Sequence, residues 1–151
     1  MNDTARSATP IHLWIVGALA TLWNGFGGYD YIMTRMENRD YLEQMMPGVD
    51  PQVTLDWVNS MPIWAQFGWG LGVWGALLGS LLLLLRSRHA VTAFAASLVG
   101  MVLSFGQQYL GSPPPAELAQ GAAQYMPLFI LAVGVALFAY ARAMKAKGVL
   151  A

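Results

Sequence analysis

The chain has 151 residues, of which 56% are hydrophobic and 11% are charged, and its mean hydropathy is +0.47. Soluble domains carry about 25% charged residues, so this composition excludes an ordinary soluble domain and indicates an integral membrane protein. The formal net charge is zero, which argues against a basic surface for nucleic acid. The chain has no cysteine, which excludes disulfides, thiolate nucleophiles and thiolate metal sites.

Four apolar stretches are long enough to cross a bilayer, for which a helix needs about 20 residues. They cover residues 11–33, 63–85, 90–110 and 121–142. None has a charge at its centre, where a single charged side chain costs about 2.5–3.5 kcal/mol on insertion; Asp30 lies near the end of the first. We therefore predict an all-α, four-transmembrane-helix bundle that forms a single membrane domain over residues 1–151.

Charge is distributed unevenly between the two ends of this predicted bundle. The connection 34–62 contains five carboxylates and Arg39 as well as Arg35. Cytoplasmic segments carry an excess of lysine and arginine, so the sequence predicts cytoplasmic N- and C-termini and an extracytoplasmic connection 34–62. The basic residues on the predicted cytoplasmic side are Arg6, Arg86, Arg88, Arg142, Lys145 and Lys147.

The connection 34–62 has its own helical pattern. Apolar residues from Met33 to Met46 recur at helical spacing until Pro47-Gly48 interrupts them. Asp50-Pro51 is typical of an N-cap followed by proline in the first turn. We predict short amphipathic helices here, which either form a lid or docking surface or simply shield the end of the bundle.

Small and polar residues recur every three or four positions in three of the predicted spans, which places them on one face of each helix. Such stripes let helices approach closely, and packing within one chain explains them more simply than a dimer interface or a hinge. The stripe residues are Gly17, Thr21, Asn24 and Gly28; Gly68, Gly72, Gly75 and Gly79; and Ser97, Gly100 and Ser104, with Gln107 continuing the third stripe.

Polar side chains are concentrated in the predicted extracytoplasmic halves of the spans. Polar groups at membrane depth often line a site, although amides and phenols also lie at headgroup level without a binding role. An outward-facing pocket of this kind would suit a polyol, a sugar or a quinone headgroup, and Asn24 and Gln107 are its deepest candidates. The candidate ligand-binding residues are Asn24, Tyr29, Asp30, Gln66, Gln107, Gln108 and Gln124.

Catalytic and cofactor chemistry have little support in the sequence. The two histidines, His12 and His89, lie at the predicted cytoplasmic edge, whereas axial haem ligands would be expected within the spans. No paired carboxylates or nucleophile–base arrangement stands out. We therefore expect no enzyme activity, no metal and no cofactor.

Several segments resemble a group of short bacterial four-helix membrane proteins, mostly uncharacterised and sometimes labelled "sugar transporter". The resemblance extends over nearly the whole chain and implies a bacterial inner-membrane location, but it carries no known functional residues. It rests on Leu22-Trp23-Asn24-Gly25, Pro62-Ile63-Trp64-Ala65, the glycine-rich helix that ends in Leu-Leu-Leu-Arg, residues 90–98 and the basic segment 141–148.

Three functions remain open from the sequence. The first is a non-enzymatic accessory or interaction protein with an outward-facing polar pocket, whose partners are the lipid bilayer and other membrane-protein subunits or a second copy of itself. The second is an oligomeric carrier of small, sugar-like solutes. The third is a quinone- or lipid-handling membrane enzyme that uses Tyr29, Asp30 and Tyr31.

Overall fold

The computed structural model describes residues 8–151, so the predicted cytoplasmic Arg6 lies outside the described part. Every regular element in that part is helical, with four long helices and two short ones between the first pair. Pro127 lies in the first turn of the last long helix, Met126–Ala146, where a missing amide proton costs no helical bond. The elements are α1 (Ile11–Arg35), α2 (Arg39–Met45), α3 (Pro51–Ser60), α4 (Ile63–Leu84), α5 (Ala90–Leu110) and α6 (Met126–Ala146), with short 3-10 turns at Ala116–Leu118 and Gly121–Tyr125.

The long helices pack in the order α1, α4, α5, α6, and the most extensive contact joins α4 to α5. Side chains link α1 to α6, since Trp23 meets Phe129 edge-to-face and His12 is hydrogen-bonded to Tyr140. We call the end of the bundle that bears α2 and α3 the loop end, and the opposite end, which bears the α4–α5 connection, the turn end.

Three of the long helices are long and apolar enough to cross a membrane, judged by length and composition. Within the described residues these are Ile63–Leu84, Ala90–Leu110 and Gly121–Ala146, and they correspond to the last three predicted spans. Helix α1 has 25 residues but does not meet the same composition criterion. The structure thus supports a helical membrane protein with three membrane-spanning candidates.

Several polar side chains lie inside the bundle, and many large apolar side chains lie on its outer surface. Asn24, Ser80, Ser97 and Ser104 are buried, whereas large aliphatic and aromatic side chains are exposed along all four long helices. Soluble monomers seldom expose apolar surface on this scale. The distribution is therefore the one expected for a bundle whose solvent is lipid.

Glycines allow α4 and α5 to pack backbone against backbone. A Cβ on Gly100 would lie 2.4 Å from the backbone nitrogen of Gly72 and 2.5 Å from the carbonyl oxygen of Gly68. The Ser97 hydroxyl donates to the carbonyl of Gly72 at 2.6 Å. The glycine stripe of α4 therefore faces α5 of the same chain along most of its length. Its last member, Gly79, packs against the ring of Phe94.

The stripe of α1 faces α4. A Cβ on Gly17 would lie 2.5 Å from the side chain of Leu84, and Gly28 lies beside Leu77 and Trp74. The Thr21 hydroxyl donates to the carbonyl of Gly17 within the same helix. Helix α4 thus packs against two partners through small residues, as expected for close helix contacts.

The turn end is closed by an apolar core. Leu13, Leu83, Phe94 and Leu137 are buried there, and so are Val149 and Leu150 of the chain beyond α6. This segment is held by backbone hydrogen bonds to the α4–α5 connection, from the Ala151 amide to the carbonyl of residue 86 at 2.9 Å and from the amide of residue 88 to the Ala151 carbonyl at 3.0 Å.

At the loop end, residues 36–62 form an arm that contains α2 and α3. Asp50 caps α3 by accepting from the amide of Gln52, and Pro51 occupies the first turn, which confirms the predicted start. The apolar pattern that follows α1 is a separate helix, α2, because the chain turns at residues 36–38 before continuing to Met45.

That turn places Glu37 in the left-handed region, with φ of 54°. The amides of Asn38 and Glu37 donate to the carbonyls of Met33 and Thr34, both at 3.0 Å, which is the bond pattern of a helix C-terminus that favours glycine. A non-glycine residue pays about 1–2 kcal/mol for this conformation.

We expect Glu37→Gly to raise the free energy of unfolding by about 0.5–1 kcal/mol, since relief of the left-handed backbone exceeds the added entropy of an unfolded glycine. Chemical or thermal unfolding in detergent would measure it. Glu37→Ala is the matched control, because it also removes the carboxylate that accepts from Asn59 but keeps the strained backbone. An equal gain in both variants would contradict the backbone explanation.

Candidate functional site

A cavity of about 390 Å³ lies inside the loop-end half of the bundle. All four long helices contribute to its wall, and Met45 of α2 closes part of it. Four of its lining residues are themselves exposed, namely Trp23, Phe26, Met45 and Met126. Three of these belong to α1 and α6, so the cavity reaches the surface between those two helices. Its volume falls within the range of small-molecule pockets.

The wall is mainly apolar and aromatic. The rings of Trp23 and Phe26 come from α1, Trp69 from α4 and Phe105 from α5. Gly27, Gly68 and Gly72 also line the cavity. A Cβ on Gly27 would meet nothing within 4 Å, so this position leaves space open. Asn24, Asp30 and Ser104 supply the polar side chains of the wall among the described residues.

Asn24 lies deepest of the predicted ligand-binding residues that line this cavity, and its amide is already engaged. It donates to the Ser80 hydroxyl at 2.8 Å and toward the Ala76 carbonyl at 3.5 Å. The Ser80 hydroxyl in turn donates to the Ala76 carbonyl at 2.9 Å. Asn24 therefore joins α1 to α4 by a buried hydrogen bond while forming part of the cavity wall.

A second cavity of about 200 Å³ lies between the arm and the bundle. It shares Asp30, Met45, Trp69, Ser104 and Phe105 with the first cavity. The two are therefore adjacent, and together they extend from beneath the arm into the bundle. The buried Thr54 hydroxyl, which has no hydrogen-bond partner among the described residues, also lies in the wall of the second cavity.

The arm is attached to α1 at Asp30. The Tyr41 hydroxyl donates to Asp30 Oδ1 at 2.8 Å, and the ring of Tyr41 packs edge-to-face on Tyr29. The pKa of the Tyr41 phenol is raised above its ordinary value. Desolvation by burial is the largest cause, and the hydrogen bond to Asp30 is the next. The phenol therefore remains a hydrogen-bond donor at all physiological pH values.

The structure brings together three of the predicted ligand-binding residues. Asn24 and Asp30 line the first cavity, and Asp30 and Gln108 line the second. Tyr29, Gln66, Gln107 and Gln124 line neither: Gln66 accepts from Arg35 at 3.0 Å and donates to the Met61 carbonyl, and Gln124 donates to the Gly121 carbonyl.

Most of the aromatic wall was not among the residues singled out from the sequence. On α1 a signal was present, since Trp23, Gly27 and Asp30 follow one another at spacings of four and three and so share a helix face. Trp69 and Phe105 gave no comparable signal, because apolar aromatics are expected anywhere in a membrane helix. Their place in the wall depends on how α4 and α5 are rotated.

The described residues contain no group of three histidine, aspartate or glutamate side chains placed to hold a metal ion. Comparisons of the whole chain with protein-family models, with curated proteins and with solved structures found no match. Fold and site together define a helical protein with three candidate membrane-spanning helices and a mainly apolar cavity near one end of its bundle, with four aromatic rings in the cavity wall.

Proposed function

We propose that this chain is a four-span inner-membrane protein that binds an amphipathic small molecule in the bundle cavity without converting it. The observation that carries the proposal is the first cavity, to which all four long helices contribute. Polar groups are few in its wall, and a polyol would leave most of its hydroxyls without partners. An apolar body with one polar group suits the wall better.

The proposal includes α1 as the first span. At 1.5 Å per residue its 25 residues extend about 37 Å, which exceeds a hydrocarbon core of about 30 Å. The polar residues Asn24 and Asp30 face the cavity, and large apolar residues cover the opposite side. The strongly exposed ones that do not line the cavity are Ile11, Ile15, Leu19 and Leu22, each at least 55% exposed.

The orientation rests on charge. In the described chain the turn end carries Arg86, Arg88 and the basic end of α6, whereas the arm carries five carboxylates. This asymmetry supports cytoplasmic termini and an outward-facing arm. A cavity at the loop end, with an apolar core closing the turn end, supports binding from outside rather than a continuous pore.

Single cysteines can test this topology directly, because the chain has none of its own. We expect a membrane-impermeant thiol reagent to label Gln44→Cys and Gln120→Cys in intact cells or right-side-out vesicles, and to label His89→Cys only after the membrane is opened. All three side chains are exposed. Labelling of His89→Cys in closed cells, or of Gln44→Cys and Gln120→Cys on opposite sides, would contradict the proposed arrangement.

Binding can be tested with phenylnaphthylamine, a neutral apolar fluorophore that accepts energy from tryptophan. Trp23 and Trp69 lie in the cavity wall, so we expect saturable quenching of tryptophan fluorescence in non-ionic detergent, above that of empty micelles. Quenching that rises linearly with probe concentration would indicate partition into the micelle and would contradict a binding cavity.

A further inference from the structure

The Asp30 carboxylate lies in a cavity wall that has few groups able to balance its negative charge. Tyr41 supplies one hydrogen bond, to Oδ1. Neither cavity wall, as the structure describes it, includes a lysine, an arginine or a histidine. A carboxylate among apolar groups is costly unless an opposite charge or further donors approach it, and Asp30 faces both cavities.

The remaining wall is rich in aromatic rings. Trp23, Phe26, Trp69 and Phe105 line the same cavity as Asp30. The faces of such rings carry negative potential and attract organic cations, tryptophan most strongly. A carboxylate combined with several rings is the wall chemistry that recognises an ammonium group, whereas an anionic ligand would meet Asp30 without a compensating base.

We infer that the ligand of this cavity is an amphipathic organic cation, an amine or quaternary ammonium with an aryl or short alkyl body, and that Asp30 is its counter-ion. This inference rests on the proposed function, since it names the class of molecule that the cavity binds. The apolar body packs between the rings, and the cationic head lies at Asp30, where the two cavities adjoin.

The test compares phenylbutyltrimethylammonium with the neutral hydrocarbon in which carbon replaces its nitrogen. The two have the same shape and differ in charge. Titrations follow tryptophan fluorescence in non-ionic detergent, well above the ordinary carboxyl pKa range. We expect the wild-type protein to bind the cation at least about tenfold more tightly than the neutral isostere.

Asp30→Asn separates charge from shape. We expect it to weaken binding of the cation by about tenfold and to leave binding of the neutral isostere within about twofold of the wild-type value, because the replacement preserves volume. Tyr41→Phe is the matched control: it breaks the same hydrogen bond but keeps the carboxylate. A counter-ion predicts that Tyr41→Phe retains cation binding, whereas a purely structural Asp30–Tyr41 link predicts equal losses in both variants.

The outcomes distinguish this inference from the proposal on which it rests. Equal binding of cation and isostere by the wild-type protein would overturn the cation inference, while saturable binding of phenylnaphthylamine would leave the binding cavity intact. If no probe binds saturably, both are wrong. The wild-type ratio decides the question even if Asp30→Asn fails to fold.

Discussion

Alanine at Gly100 is expected to destabilise the bundle more than any other single methyl group added to the glycine stripes. The new Cβ would lie 2.4 Å and 2.5 Å from backbone atoms of Gly72 and Gly68. Backbone cannot rotate away as a side chain can, so α4 and α5 must separate. We expect the free energy of unfolding to fall by about 3 kcal/mol, at the upper end of the usual overpacking cost.

Gly106→Ala is the matched control, since Gly106 lies on the same helix and a Cβ there meets nothing within 4 Å. It should be neutral or should stabilise α5 by up to about 1 kcal/mol, the usual gain of alanine over glycine in a helix. Thermal unfolding of both variants in detergent, followed by circular dichroism, measures the difference. Equal stability of the two would contradict the backbone contact between α4 and α5.

Leucine at Gly27 is expected to abolish ligand binding without loss of stability. Gly27 lines the first cavity, and a Cβ there has no atom within 4 Å. The leucine side chain can therefore occupy space that the ligand would fill, and it favours the helix by about 0.8 kcal/mol over glycine. We expect saturable quenching by phenylnaphthylamine to disappear while the unfolding temperature is unchanged or higher.

Gly25→Leu provides the control for this experiment. Gly25 lies on the same helix, has equally free space around its Cβ position and does not line the first cavity. The same gain in helix propensity should appear, with probe binding equal to that of the wild-type protein. Loss of binding in both variants would point to an indirect effect of α1, and retention in both would show that the cavity is not the binding site.

Much of the helical pattern follows from local sequence. The last three spans and the cap of α3 at Asp50 depend on composition and on residues close together in the chain, and the structure has them where such rules predict. The break between α1 and α2 was harder to predict from the sequence, because Glu37 adopts a left-handed backbone conformation that a residue with a side chain does not favour.

The candidate site was less predictable. Polarity at the loop end identified Asn24, Asp30 and Gln108 as candidates, but the same rule also selected Gln107. That side chain lies against the end of its own helix, within 2.6 Å of where a Cβ on Gly111 would be. A count of polar residues by depth cannot separate such a local contact from a group in a cavity wall.

The sequence by itself determined that this chain is helical and apolar, that its small residues form stripes, and that its polar groups lie toward one end. Those properties arise from composition and periodicity along single helices. Only the tertiary structure decided that Trp69 and Phe105 share a cavity with Asp30, because that depends on how α1, α4 and α5 are rotated. The glycine contacts fix α4 against α5 at backbone distance. Side chains join α1 to α6, and the cavity, which all four long helices line, opens between these two.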